Sequence, residues 1–302
     1  MLGLLPYSIR KYYAVRHVGV VYAVLAFVAW GLLPLYLRTL ASVAPFEIIA
    51  HRALWTFMSL LPLVGLVTFR RSEVYSALSN PKTRLLLLLS SIKLNANWVL
   101  MVIAVASNRV VEAGFGYYIV PAMTALLAFV KDRKIPRVWH LISLALALMA
   151  LVILILADRR VPWLAIFLAL TFSFYGALKQ LLPVDAIAAL MIETSLAVPF
   201  AAIFLASQNG LAIFTSYPPT ISLLLVAAGG LSVAPLVWLG KGATHLPLAK
   251  LGYLQPITPT LILVTGIFIF AEAFDMQRIV SLGFIWLAAV IYHLDTYVVK
   301  NA

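Results

Sequence analysis

The sequence predicts an all-α, polytopic membrane protein. Three observations point there. Of 302 residues, 64% are apolar and 11% charged, against about half and about a quarter in ordinary soluble domains. The apolar residues gather into runs of the roughly 20 residues that a membrane helix needs. No run alternates with a strand period, which argues against a β-barrel.

Ten runs follow in order: 18–37, 45–69, 84–107, 110–130, 138–157, 162–181, 186–207, 219–240, 247–271 and 278–299. Polar or Pro-rich breaks separate them, among them Ser79-Asn80-Pro81, Asp158-Arg159-Arg160, Gln208-Asn209-Gly210 and Pro218-Pro219. Residues 1–17 precede the first run as a basic N-terminal segment, "PYSIRKYYAVRH", with the pattern of an interfacial stretch or a misassigned start codon. It leads into a full-length span without an Ala-x-Ala site, so the first run is expected to stay in the membrane. The sequence has no cysteine, which excludes disulfides and cysteine-based metal sites.

The net charge of +12 points to topology rather than nucleic acid, because the basic residues are scattered between apolar runs. Fifteen Lys and Arg fall in one set of loops and ends, and five (Arg38, Arg109, Arg159, Arg160 and Arg278) in the opposite set. The positive-inside rule then makes both termini cytoplasmic, in agreement with an even number of spans.

The chain reads as two halves. "EAGFGYYIVP" (112–121) reappears as "KLGYLQPITP" (250–259), and Trp30-Gly31 resembles Tyr175-Gly176. Repeats of five spans would lie inverted to each other, the sequence signature of a secondary transporter whose site lies between the repeats near the midplane. The repeats are expected over 18–157 and 162–299.

Several polar residues fall at that depth. At about 1.5 Å per residue, Lys93 lies roughly 13 Å into its run, Gln255 about 12 Å, and Glu193 and Arg52 about 10 Å, in a core about 30 Å thick. A charge there faces a partner or a wet cavity. Lys93 and Asn97 share a helix face, as do Glu47 and His51. Lys93 and Asn97 are therefore expected to line a polar interior, with Glu193 as partner for Lys93. Each has a plainer reading. Lys93 with Glu193 would be a structural ion pair, Arg52 would snorkel outward, Asn95 and Asn97 would be interhelical glue, Glu47 would be interfacial, and the aromatics would only pack. Asp158, Arg159 and Arg160 look like a solvated turn.

Enzyme motifs are absent. There is no His-Glu-x-x-His, Asp-rich Mg²⁺ pair, Walker motif or Gly-x-Ser-x-Gly. Neither a cofactor nor a metal is expected, and ATP does not drive the protein directly. An intramembrane enzyme or lipid-handling protein using Lys93 and Glu193 is the alternative.

The stretches "LAFVAWGLLPLYLRTL", "EIIAHRALW", "NANWVLMVIAVASNRVVEAGFGYYIVP", "FSFYGALKQLLPVDAIAALMIET" and "LGYLQPITPTLILVTGIFIFAEAF" resemble the RarD-type branch of the drug/metabolite transporter superfamily, the EamA-like permeases. The resemblance covers roughly 18–296. It implies ten helices in two inverted five-helix repeats and ATP-independent transport of small metabolites or drugs across the bacterial inner membrane. Its motifs fall on His51-Arg52, Asn97-Trp98, Gly116–Pro121, Glu193-Thr194 and Leu251–Gln255. One corner departs: where run four in such proteins usually ends near Gly-Glu or a similar acid, it reads Val130-Lys131-Asp132-Arg133 here, whereas the matching end of run nine keeps Glu272.

The resulting expectation is an exporter of a small polar or zwitterionic compound. Lys93 and Arg52 would attract its anionic group. Asn97 and Gln255 would hydrogen-bond, and Trp30, Tyr117, Tyr118 and Tyr253 would wall the cavity. Glu193 and His51 are the proton-coupling candidates, and Pro121, Pro256 and Pro259 the helix kinks. The expected partners are a small-molecule substrate and the lipid bilayer; monomer and homodimer both stay open.

Overall fold

The computed structural model describes residues 7–132, 138–208, 213–246 and 248–301. The described residues form helices and no strand. In chain order these are α1 (Tyr7–Gly31), α2 (Leu33–Thr39), α3 (Pro45–Gly65), α4 (Thr68–Ser79), α5 (Pro81–Ala106), α6 (Val110–Asp132), α7 (Val138–Asp158), α8 (Trp163–Lys179), α9 (Ala186–Ser195), α10 (Val198–Ser207), α11 (Ile213–Ser216), α12 (Pro219–His245), α13 (Leu248–Leu254), α14 (Ile257–Val264) and α15 (Met276–Asn301). A π-helical turn, Thr265–Ile269, continues α14. Five helical segments are long and apolar enough to cross a membrane, and counting two bent pairs as single spans makes seven. The apolar α8 is 17 residues long, at the lower end of the roughly 17–25 residues that span a bilayer.

Local chemistry sets the boundaries. Asn80 caps α5, its side-chain oxygen accepting from the N–H groups of Lys82 (2.9 Å) and Thr83 (3.2 Å), with Pro81 in the first turn. Asp185 caps α9 in the same way. Arg70 of α4 lies 3.2 Å from Asp185, and Glu73 accepts its backbone N–H at 2.6 Å. The polar helix α4 thereby docks on the start of α9. It lies largely outside the expected runs, because the 45–69 run ends at Gly65 and the chain turns there.

Two expected runs are broken. The first bends by about 40° between α1 and α2, and the seventh by about 40° between α9 and α10. Pro34 and Pro199 sit in the first turns of α2 and α10. Each lacks an N–H for the preceding helix and crowds the carbonyl four residues back.

α7 packs along α15, α6 along α8 and α14, α1 along α12 and α14, α3 along α12, α9 and α10, and α5 along α8 and α9. Two contacts are backbone-close. A Cβ on Gly116 would lie 2.7 Å from the Ala165 carbonyl oxygen, and one on Gly229 would lie 2.2 Å from that of Trp55. Small residues let membrane helices approach this closely. The outward faces stay apolar: Leu148, Val152 and Leu156 of α7 are exposed, as suits a lipid-facing surface.

Candidate functional site

The polar stripe of α5 is stitched to the helices beside it. Ser90 donates to Glu193 Oε1 at 2.5 Å, and Ser91 to the Glu193 carbonyl at 2.6 Å. Asn95 turns back to the Ser91 carbonyl at 2.8 Å. Asn97 donates through Nδ2 to Thr171 Oγ1 (3.0 Å) and the Leu168 carbonyl (3.3 Å), and its Oδ1 accepts from the Tyr117 hydroxyl at 2.8 Å. Asn97 therefore joins α5, α6 and α8 at one point.

Lys93 does not pair with Glu193, contrary to expectation. It sits at the edge of the buried stripe made by Ser90, Leu94, Asn97 and Met101, and its ammonium lies 5.6 Å from the Phe174 ring centre. Lys179, at the end of α8, takes the expected place at 3.1 Å from Glu193 Oε1. The Tyr175 hydroxyl donates to Oε2 at 3.2 Å. Only residues 180–185 separate α8 from α9, so the last turn of α8 folds directly over Glu193. The carboxylate is fully buried and receives three side-chain donors.

Arg52 does not snorkel; it is 4% exposed. Its Nε donates to Ser232 Oγ at 3.0 Å, and its guanidinium stacks 4.2 Å from the Trp98 ring centre. Its Nη1 is buried without a hydrogen-bond partner. Glu47, expected at the interface, is buried and accepts from the Tyr217 hydroxyl at 2.7 Å. His51 Nε2 lies 3.8 Å from Glu47 Oε1, beyond hydrogen-bond range. Burial, reinforced by the Glu47 carboxylate, pushes the Tyr217 phenol up to about 12.

A cavity of about 470 Å³ opens at the end of the bundle that carries the α5–α6 and α7–α8 connections. Two carboxylates cap helices there. Glu272 accepts from the N–H groups of Val110 (2.6 Å) and Val111 (2.8 Å) at the start of α6. Glu112 accepts from the Leu164 N–H at the start of α8 (3.0 Å) and holds Arg109 at 2.6 Å. Negative charge at helix N-termini is stabilised by the exposed N–H groups and the helix dipole. Asp158, expected in a solvated turn, instead pairs with Arg278 at 2.7 Å. Arg38 donates to Asn108 at 2.9 Å and lies over Phe270. Asn108, Arg159 and Ala271 adopt left-handed backbone with φ near 50°, an uncommon conformation for residues with a Cβ. Burial raises the Glu272 pKa, opposed by the Val111 and Val110 N–H groups and Arg278, while Glu112 adds to the rise.

The other expected residues scatter. The Tyr118 and Thr260 hydroxyls bond at 2.5 Å, joining α6 to α14. Tyr117 stands edge-on to Phe172 at 5.6 Å. Trp30 stands edge-on to Phe27 at 6.0 Å and, like Leu254 and Ile257 beside Gln255, packs against the cluster of Ala23, Phe27, Leu246 and Leu251. Tyr253, on α13, is exposed. α6 runs unbroken through Pro121, whereas Pro256 begins α14 at a real break and Pro259 is buried within it. The structure therefore gathers Arg52, Trp98, Asn97 and Tyr117 at one level, with Trp30, Tyr253 and Gln255 around the α13–α14 break. Among the described residues no group of three or more His, Asp or Glu could hold a metal ion.

Residues 17–156 match the model of the EamA-like transporter family. An uncharacterized transporter of Pseudomonas aeruginosa is 35% identical over 286 residues, 92% of this chain and 94% of that protein. Protein RarD of Salmonella typhi is 31% identical over 92% of this chain and 95% of its own. The chain belongs to the RarD-type EamA-like transporters. The uncharacterized transporter YojE of Bacillus subtilis, 31% identical over 94% of the chain and 96% of its own, agrees.

In this EamA-like transporter the interacting groups that sequence reasoning missed are Lys179, Glu112, Ser90 and Arg38. Lys179 reads as an ordinary helix-end cation, and its target lies across a turn. The role of Glu272 as a cap was also hidden, because its partners are backbone N–H groups that no side-chain pattern reveals.

Proposed function

We propose that this transporter is a secondary carrier of the bacterial inner membrane. It exports a small polar or zwitterionic metabolite or drug by alternating access between two inverted five-helix halves, 18–157 and 162–299. The packing pattern is the observation that carries the reading. Exchange α1, α3, α5, α6 and α7 in order with α8, α9, α12, α14 and α15. The α1–α12 contact then becomes α8–α5, α1–α14 becomes α8–α6, and α3–α12 becomes α9–α5. All of these contacts exist. The α7–α15, α6–α14 and α3–α9 contacts map onto themselves, while α6–α15 has no counterpart of similar extent. Internal repeats of this kind bind substrate at their interface and rock around it.

The polar bonds support the same interface. Arg52–Ser232, Asn97–Thr171, Tyr118–Thr260 and Ser90–Glu193 each link one half to the other. Arg52, Asn97 and Tyr117 form the substrate level, with Lys93 below it; Trp30, Tyr118, Tyr253 and Gln255 wall the path. Glu193 and His51 are the proton-carrying groups if transport is proton-coupled. By the positive-inside rule both termini are cytoplasmic, so the Glu272 rim faces the periplasm.

The absence of cysteine makes the test clean. Gln208→Cys, after the second span of the second half, is expected to react with an impermeant maleimide in intact cells, and Lys82→Cys, after the second span of the first half, only in inverted vesicles. Equal reaction from the same side removes the inverted arrangement. Reconstituted protein should exchange labelled metabolites down their gradients without nucleotide, and strict dependence on ATP would refute a secondary carrier.

A further inference from the structure

We propose that the face of α3 carrying Arg52, Trp55 and Thr56 recognises an anionic group, a carboxylate or phosphate, on the transported molecule. The inference rests on the transporter reading and adds a substrate class to it.

Buried polar atoms in folded proteins nearly always have hydrogen-bond partners. Arg52 Nη1, Trp55 Nε1 and Thr56 Oγ1 are buried and have none. Their spacing of three and four residues puts them on one face of α3. Guanidinium and indole N–H groups donate and do not accept, so Arg52 and Trp55 cannot satisfy each other. An arriving acceptor can satisfy both. Thr56 differs from its counterparts elsewhere in the chain. Thr171, Thr194 and Thr260 turn their hydroxyls onto the carbonyl four residues back, at 2.7–2.8 Å, which is the usual escape for a helical threonine. The Thr56 hydroxyl leaves that bond unmade.

Arg52 is also held ready. Ser232 takes its Nε and Trp98 takes its face, so the guanidinium cannot swing toward water. Among the described residues no carboxylate lies within ion-pair distance of it. An unpaired buried charge is costly. A neutral ligand would answer only the missing hydrogen bonds, whereas an anion answers those and the charge together.

The charge of the rim cavity agrees in sign. The cavity is lined by four arginines and three acids, a balance of +1 (Arg38, Arg109, Arg160 and Arg278 against Glu112, Asp158 and Glu272). Arg38 there is held by an amide and a ring rather than a carboxylate. Such a field favours anion entry. Arg52 lies seven residues below the start of α3, about 10 Å along the helix. The three donors are sealed from solvent in this conformation, so the anion reaches them when the halves part.

The test uses the full chain purified in detergent at constant ionic strength. Acetate, benzoate, inorganic phosphate and methylphosphonate are compared with acetamide and benzamide by their effect on the thermal midpoint. At least one anion is expected to raise the wild-type midpoint, with no effect from the amides. Arg52→Met should weaken that anion's apparent Kd by about tenfold or more, and Trp55→Phe and Thr56→Val by roughly three- to tenfold each. Thr56→Val is nearly isosteric and Trp55→Phe keeps an aromatic ring while removing the donor, so they decide the matter if Arg52→Met does not fold. The inference is overturned if no anion protects the wild type, if an amide protects as well as its acid, or if Trp55→Phe and Thr56→Val leave the Kd unchanged. Proteoliposome flux separates the two readings. An anion that binds but is not moved sinks the transporter reading and keeps the site. Flux of neutral or cationic solutes without anion binding does the reverse.

Discussion

Replacing Lys179 by Met tests the buried charge layer most directly. Glu193 would stay fully buried, keeping the Ser90 and Tyr175 hydroxyls but losing its cation. Breaking a buried pair from one side costs about 3–5 kcal/mol. The Lys179 side chain is 21% exposed, and two donors remain on the acid, so the lower end of that range, about 3 kcal/mol, is expected. Glu193→Gln keeps an acceptor for Ser90 and lets Lys179 swing toward its exposed side, so about 2 kcal/mol is expected. The double variant buries no charge, and its cost should stay near about 2 kcal/mol. The singles sum to about 5 kcal/mol, so the coupling is about 3 kcal/mol. Reversible denaturant unfolding in detergent micelles, followed by tryptophan fluorescence, measures all four corners of the cycle. A Lys179→Met loss under about 1 kcal/mol, or strictly additive singles, would refute the pair as a structural element.

Three further outcomes follow from the geometry. Gly229→Ala would drive a Cβ to 2.2 Å from the Trp55 carbonyl oxygen and should cost about 1–3 kcal/mol by overpacking, whereas Gly230→Ala, with open space around it, should fold as the wild type in the same unfolding assay. Asn97→Ala removes three hydrogen bonds and should cost about 2 kcal/mol, with Tyr117→Phe costing about 1 kcal/mol and little more when combined with it. Burial raises Glu272 above its ordinary carboxylate value of 4.5, so the folded state binds the proton more readily than the unfolded one. Its contribution to stability is then fully present below about 4.5 and lost as pH rises through the raised value; a midpoint-against-pH curve should lose that segment in Glu272→Gln.

Much of the fold was legible because membrane insertion is a local, compositional property. Runs of apolar residues, the Asn80-Pro81 start and the Pro256 break could each be read within a few residues. The bends at Pro34 and Pro199 were missed because a proline in a greasy run does not announce which turn it breaks, and Pro121 shows a proline that an unbroken helix accommodates. The α4 helix was hidden because its stabilising contacts, to Asp185, lie more than a hundred positions away. At the site, depth counting singled out Arg52 and Glu193, and both side chains are buried between helices. It supplied a level but no direction around the helix, so it paired Glu193 with Lys93 when Lys179 was the cation facing it. Sequence also misjudged Glu47 and Asp158, whose partners Tyr217 and Arg278 come from the other half.

The two ends of the bundle hold the proposed halves together by different chemistry, and on the proposed rocking motion that difference bears on which end opens first. At the rim the links between the halves are charged. Glu272 of the second half takes two N–H groups of α6, Glu112 of the first takes one of α8, and Arg278 pairs with Asp158. Hydrogen bonds to charged groups contribute about 1.5–3 kcal/mol each. Around Glu193 the strongest interaction, with Lys179, lies within the second half; the Ser90 and Ser91 hydroxyls cross from the first, and at the same end Arg70 and Glu73 cross to Asp185. Parting the halves at that end leaves the Lys179 pair intact but breaks the two serine bonds, the Arg70–Asp185 pair and the bond from the Asp185 N–H to Glu73. Opening the rim strips two carboxylates from helix N-termini and separates an arginine from its aspartate. The Arg70–Asp185 pair is the more exposed of the two cross-half ion pairs, at 24% and 30% against 17% and 16% for Arg278–Asp158, and exposed pairs contribute less, so the rim is the costlier end to open. Neutralising it with Glu272→Gln should shift labelling by impermeant reagents toward the rim, while Ser90→Ala should shift it toward the opposite end.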